Sequence, residues 1–269
     1  MSSSAPPDPL SRRHPRRSRF YSCLETVEGA EKPLCWVRTM APRVFRSAAE
    51  DGYISPEPCP LLGRGLTYCF YGRPAYRFDY DCLMRAGLCA PIVVVFEPTV
   101  EHLGVLMHPF DTGAFISGRY RSWIPSQFEL RDFELPLGCG APGKYVRAFY
   151  GTNEAYWVGN ALQSPLNRPG ELEVAAVSDM ITDPAGDPAD DRRLAIEMAL
   201  GSQIPMDREY IRALVVPDQL KTADYVLRCQ YLKNIPVFTY RVYQRKTVIE
   251  HQVHIEETVR KVQEVNGAI

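Results

Sequence analysis

Residues 91–97, PIVVVFE, set four consecutive β-branched residues and a phenylalanine between a proline and an acid. β-Branched side chains have few χ1 choices and pack well on a pleated surface. A short, continuous apolar run of this kind therefore reads as a buried strand. Such a strand needs partners along its edges and cover on its faces, and the rest of the chain is read for what supplies them. Residues 90–96 are also the longest apolar stretch, far short of the roughly 20 residues a membrane-spanning helix requires. No membrane partner is expected.

Other strands are expected at 66–71 (LTYCFY, bounded by Gly65 and Gly72), 210–216 (YIRALVV) and 237–243 (VFTYRVY). Residues 193–200 (RLAIEMAL) read as a strand, with a helix as the alternative by composition. A helix is expected over 42–51, with Thr39 as cap, Pro42 in the first turn and Gly52 at the end. Further helices are expected near 126–132, over 152–161, within 218–233 and over the charged, periodic 250–265. The middle, 104–145, is rich in Gly and Pro, and TDPAGDPADD at 182–191 is the clearest loop. Strands and helices without regular βαβ alternation argue for an α+β fold, and no repeat of 20–50 residues is visible.

The length of 269 residues fits one domain with a tail. Residues 1–19 are Ser/Pro-rich and then basic, and read as a disordered arm ahead of a single domain over 20–269. A nucleic-acid or acidic-partner contact is the functional reading of that arm; a solvated leader is the plainer one. Net charge is −1, so no molecule-wide field points to nucleic acid. The eight cysteines, at 23, 35, 59, 69, 82, 89, 139 and 229, form no CxxC and no metal-knuckle spacing. With no secretory segment recognised, they are expected as reduced thiols in a cytoplasmic protein.

Two segments carry chemistry. In Phe70-Tyr71-Gly72-Arg73-Pro74-Ala75-Tyr76-Arg77 an aromatic strand runs into a turn with two arginines and two tyrosines. Arg73 and Arg77 suit bidentate binding of phosphate, and the rings of Tyr71 and Tyr76 suit stacking on a base or nicotinamide. The plainer reading is a strand end with surface ion pairs. Glu197 stands alone in an apolar run, where a carboxylate is costly unless paired or functional. As a strand, the segment would put Ala195, Glu197 and Ala199 on one face, leaving room above the acid for a ligand. In HPFDTGA, residues 108–114, Asp111 would bind a ribose or orient a base, with a plain turn as the alternative. His251 and His254 suit a solvated helix face better than a metal. Asp187, Asp190 and Asp191 with Glu171 and Glu173 form only a weak two-metal alternative. No metal is expected.

In order along the chain, three pieces resemble the ADP-ribosyltransferase superfamily, particularly its bacterial DarT-like, DNA-targeting toxin branch. They are Leu34-Cys35-Trp36-Val37-Arg38 and then Phe45 to Ile54, Phe70-Tyr71-Gly72-Arg73-Pro74, and Arg193-Leu194-Ala195-Ile196-Glu197 followed by a hydrophobic strand ending at Pro217. The resemblance implies a mixed or antiparallel split β-sandwich with flanking helices, closed on NAD as substrate. It implies Glu197 as the catalytic acid at the nicotinamide ribose and Arg73 (or Arg77) at the pyrophosphate or the acceptor. Tyr71 or Tyr76 would stack on nicotinamide. Trp36 occupies the place where the family often has a His for the adenosine ribose. The activity implied is ADP-ribosyl transfer or NAD hydrolysis, in a toxin or defence effector, with nucleic acid or protein as acceptor. The alternative is a non-catalytic domain of the same fold that binds a nucleotide or a partner.

Overall fold

A computed structural model describes residues 18–75, 89–138, 140–163, 170–184, 191–243, 245–265 and 267–269. The first half contains α1 (Arg19–Glu25), β1 (Trp36–Met40), α2 (Pro42–Asp51), β2 (Tyr53–Ile54), β3 (Glu57–Cys59), β4 (Arg64–Tyr71), β5 (Ile92–Phe96), β6 (Gly104–His108) and α3 (Thr112–Ile116). The second half adds α4 (Ala141–Phe149), α5 (Asn153–Trp157), α6 (Leu172–Thr182), β7 (Glu197–Leu200), β8 (Ile204–Pro205), β9 (Ile211–Pro217), α7 (Asp224–Leu232), β10 (Val237–Tyr240) and α8 (Gln252–Val265). The fold is α+β. Among the described residues its main sheet has eight strands, ordered β10-β9-β5-β1-β4-β7-β6 with β3 added on β4, and β2 pairs with β8 separately. The ladders are antiparallel except β9 with β10, so the sheet is mixed.

β5 lies inside this sheet between β1 and β9, and all five of its residues are fully buried. Its alternation divides the core. Ile92, Val94 and Phe96 join the larger cluster with Trp36, Tyr71, Met198 and the helical residues Tyr145, Phe149 and Tyr156. Val93 and Val95 turn the other way, to Val37, Ala213, Val215 and the α8 stripe Ile255, Val259 and Val262. Each aliphatic side chain buried this way contributes about 1.5–3 kcal/mol.

The register explains where the sheet opens. β1 and β4 share only Trp36↔Tyr71 and Val37↔Phe70. Beyond Val37, β1 continues with β5 as far as Met40↔Ile92, while β4 continues with β7 back to Thr67↔Leu200. The sheet parts between residues 38–40 and the first half of β4. Arg38 crosses the gap: its Nη1 donates to the Tyr68 carbonyl at 3.1 Å and its Nη2 to Glu57 Oε1 at 3.0 Å. At the paired end, Gly72 turns the chain out of β4 at φ 74°, and a Cβ there would lie 2.7 Å from Leu34 Cδ1. Only glycine meets both conditions without rearrangement.

Several expectations shift. The helix over 42–51 has the expected bounds, but its N-cap is Ala41 rather than Thr39. The short helix near 126–132 is a 3-10 turn at Leu130–Phe133, and residues 191–194 form another ahead of β7. The Gly/Pro-rich middle holds β6, α3 and the start of α4, none of them expected. Pro142 sits in the first turn of α4, and bare Gly143 lets the Glu31 carbonyl come within 2.7 Å of where a Cβ would be. Ser18 and Arg19 belong to the fold rather than to the arm: Ser18 caps α1 and donates to the Glu134 carbonyl at 2.6 Å. Residues 1–17 lie outside the described residues. Cys23, Cys35, Cys59, Cys69 and Cys229 are buried thiols in no disulfide, but Cys89 is disulfide-bonded, which corrects the expectation of uniformly reduced thiols. Cysteine spacing alone does not reveal which thiols meet. No helix among the described residues is long and apolar enough to cross a membrane.

Candidate functional site

One residue row crosses the sheet through five ladders: His108, Glu197, Phe70, Val37, Val95 and Ala213 stand side by side. Glu197 is the lone acid in it. Strand alternation sends Ile196, Met198 and Leu200 into the main core, while Ala195 and Ala199 enter separate small clusters on the other face. Glu197 shares that second face and is 4% exposed.

The segment after β6 holds this acid. Thr112 opens α3 and donates to Glu197 Oε1 twice, from its main-chain N–H at 3.1 Å and from its hydroxyl at 2.5 Å. Both bonds fall on Oε1 of this cavity-lining residue. Burial pushes the Glu197 carboxyl well above its ordinary 4.5, and the charge of Asp111 pushes the same way. The two Thr112 bonds and the Arg192 guanidinium pull it back, with the smaller effect. The acid is therefore protonated more readily than a free glutamate, and a cation entering the cavity would favour its ionised form.

The cavity occupies the parting between β1 and β4. Its volume of about 500 Å³ is that of a site for a small molecule or cofactor. Three guanidiniums (Arg38, Arg119, Arg192) and three carboxylates (Glu57, Asp111, Glu197) line it, with Tyr68, Phe70 and Cys59 on the β3–β4 side. Arg38 is tied to Glu57, and Arg192 Nη1 lies 3.6 Å from Asp111 Oδ2. Arg119 is exposed. Tyr68 hydroxyl lies 3.0 Å from Cys59 Sγ, and burial raises its pKa. A cavity of alternating sign suits a ligand that carries both a cationic centre and anionic groups.

Of the residues expected at a site, Glu197 and Asp111 line this cavity together. Trp36 and Tyr71 do not: their rings pack on each other at 5.1 Å inside the main core, and the Tyr71 hydroxyl accepts the Leu34 N–H at 2.9 Å. Arg73 is buried at the C-terminus of α5, where its Nη1 donates to the carbonyls of Trp157 at 2.9 Å and Tyr156 at 3.5 Å, and it does not line the cavity. Cationic donors are favoured at that helix end. Its Nε and Nη2 are buried without hydrogen-bond partners among the described residues. Tyr76 and Arg77, like Asp187 and Asp190, lie outside the described residues. No cluster of three or more metal-ligating side chains occurs among the described residues. The His251 ring serves the backbone instead, accepting from Tyr243 N at 2.8 Å and lying 2.8 Å from the Thr247 carbonyl.

Thr112, Arg38 and Arg192 were not among the expected site residues. Asp-Thr-Gly looks like any turn, and Arg38 becomes visible only once β1 and β4 are known to part. Comparison with models of known protein families, with curated proteins and with solved structures finds no match to this chain.

Proposed function

We propose that the parting between β1 and β4 binds NAD and that the chain consumes it, as an ADP-ribosyltransferase or an NAD glycohydrolase. One observation carries this reading: a buried, doubly held glutamate lies in a cavity where a sheet splits, with guanidiniums around it. NAD has matching chemistry, a cationic nicotinamide riboside joined to an anionic pyrophosphate.

In this reading Glu197 does the central work. As nicotinamide leaves, positive charge develops on the ribose, and a fixed carboxylate stabilises that charge more than it stabilises the ground state. Thr112 fixes the carboxylate orientation, so little reorganisation is needed when the charge appears. The cation of bound NAD offsets the burial that otherwise raises the proton affinity of the acid. Arg192 and the exposed Arg119, both lining the cavity, would hold the phosphates, and Arg38 orders the wall between β1 and β4. Arg73 enters as a support for α5 and the end of β4, rather than as the pyrophosphate ligand. Consumption of NAD fits a toxin or defence effector.

A second reading is a non-catalytic domain that binds a nucleotide or partner. The burial of Trp36 and Tyr71 in the core favours it, because neither ring then serves as a stacking face in the cavity. Incubation with NAD separates the two. Nicotinamide release that disappears in Glu197→Gln supports the enzyme; NAD binding without release supports the binding domain.

A further inference from the structure

Asp111 lines the same cavity as Glu197, and one dipeptide fixes both acids. Thr112 holds Glu197, while Asp111, one residue earlier, caps α3 by accepting the Ala114 N–H through Oδ1 at 2.6 Å. The Asp111 main-chain N–H donates to the Arg192 carbonyl at 3.2 Å, and Arg192 Nη1 stands 3.6 Å from Oδ2. The Asp111 side chain is 9% exposed. It is therefore a carboxylate set in one place, near enough to Glu197 for its charge to raise that acid's proton affinity.

β7 supplies no second polar group on the cavity face. The neighbours of Glu197 there are Ala195, packed on Phe70 and Ala75, and Ala199, packed among Cys59, Leu62 and Leu66. Glu57, the third cavity carboxylate, is exposed and bonded to Arg38. Transfer of a ribosyl group to an acceptor that carries a proton needs a group to take that proton, and an ionised Glu197 is occupied with the developing cation.

We infer that Asp111 is the general base that deprotonates the attacking acceptor, water in the simplest case. The inference rests on the NAD reading given above. In the step, the bond between the ribose anomeric carbon and the nicotinamide nitrogen breaks, and its electron pair leaves with nicotinamide, which loses its positive charge. The water oxygen bonds to the anomeric carbon, and its proton passes to Asp111. Glu197 stays ionised and gains no bond. Arg192 holds the aspartate toward the cavity, and the N-cap bond prevents the side chain from swinging away.

Asp111→Asn tests this in the full chain, because asparagine caps a helix as well as aspartate does. Nicotinamide release from NAD is measured with and without azide, an anion that attacks carbon without giving up a proton. The expected result is a loss of about 100-fold or more in water, the lower end of what a general base contributes. Azide restores release in Asp111→Asn and yields an azido product, but it does not restore Glu197→Gln. Asp111→Ser, another capping side chain, gives the same pattern, and a single cooperative melting transition in both variants shows that they fold. An active wild type with Asp111→Asn unimpaired, or a folded variant that azide fails to rescue, overturns the inference alone. A wild type that releases no nicotinamide overturns the NAD reading and the inference with it.

Discussion

Replacing Glu197 by glutamine removes the buried titration while keeping the acceptor for both Thr112 bonds, and the consequence is calculable without reference to any activity. Burial raises the Glu197 pKa above 4.5 in the folded chain, so the native state holds the proton more tightly than the unfolded state. The stability this gives is fully present below about 4.5 and is lost as pH rises toward and through the folded value. Across that window unfolding releases a proton, and wild type loses about 1.4 kcal/mol per pH unit relative to a variant that cannot ionise. For a chain of this size about 1 kcal/mol moves the melting temperature by roughly 2–4 °C. The melting temperature of Glu197→Gln should therefore gain on wild type by roughly 3–5 °C for each pH unit between about 4.5 and the folded value, and level off above it. Differential scanning calorimetry of both chains, scanned upward in pH from about 4.5, reads this directly. Asp111 and Arg192, the charged neighbours, are common to both chains, so the difference isolates Glu197. A gap that stays constant or narrows with pH refutes the reasoning.

Two further substitutions probe the supports of the acid. Thr112→Val removes the hydroxyl bond to Glu197 Oε1 but keeps the main-chain one; at about 1.5–3 kcal/mol for a bond to a charged group, it should move the acid limb of nicotinamide release up by roughly 1–2 pH units. Thr112→Ser should restore the wild-type profile, and an unmoved limb would show that the hydroxyl does not govern the ionisation. Tyr156→Phe strips the Ile196 N–H of its buried acceptor at 3.1 Å, one residue before Glu197. It should cost about 1–3 kcal/mol, read as a lower melting temperature, and an unchanged transition would show that the bond adds nothing.

The strand at β5 was legible because four β-branched residues and a phenylalanine in a row leave little else to fold into. Glu197 was legible for a related reason: a carboxylate inside RLAIEMAL breaks an apolar pattern, and the period of two assigns its face once a strand is assumed. Its holder was not. Thr112 belongs to a sequence typical of turns, and its distance of 85 residues from Glu197 leaves no local trace. The aromatic and arginine-rich end of β4 shows the opposite limit. Tyr71 and Phe70 are alike in sequence, yet the register turns Phe70 to the cavity and Tyr71 to the core. Arg73 carries the charge a phosphate site would want, but α5 presents carbonyls to it first. Residue type shows what a side chain is able to do; which face of the sheet it takes depends on partners far along the chain.

The central claim is that the glutamate in the parted sheet breaks the glycosidic bond of NAD, and the most direct measurement is nicotinamide release by the intact chain beside Glu197→Gln at one saturating NAD concentration. The account predicts steady release by wild type and a loss of about 100-fold or more in the variant, since the lost carboxylate is a preorganised electrostatic group. Equal rates in the two chains, or no release from either, would contradict it.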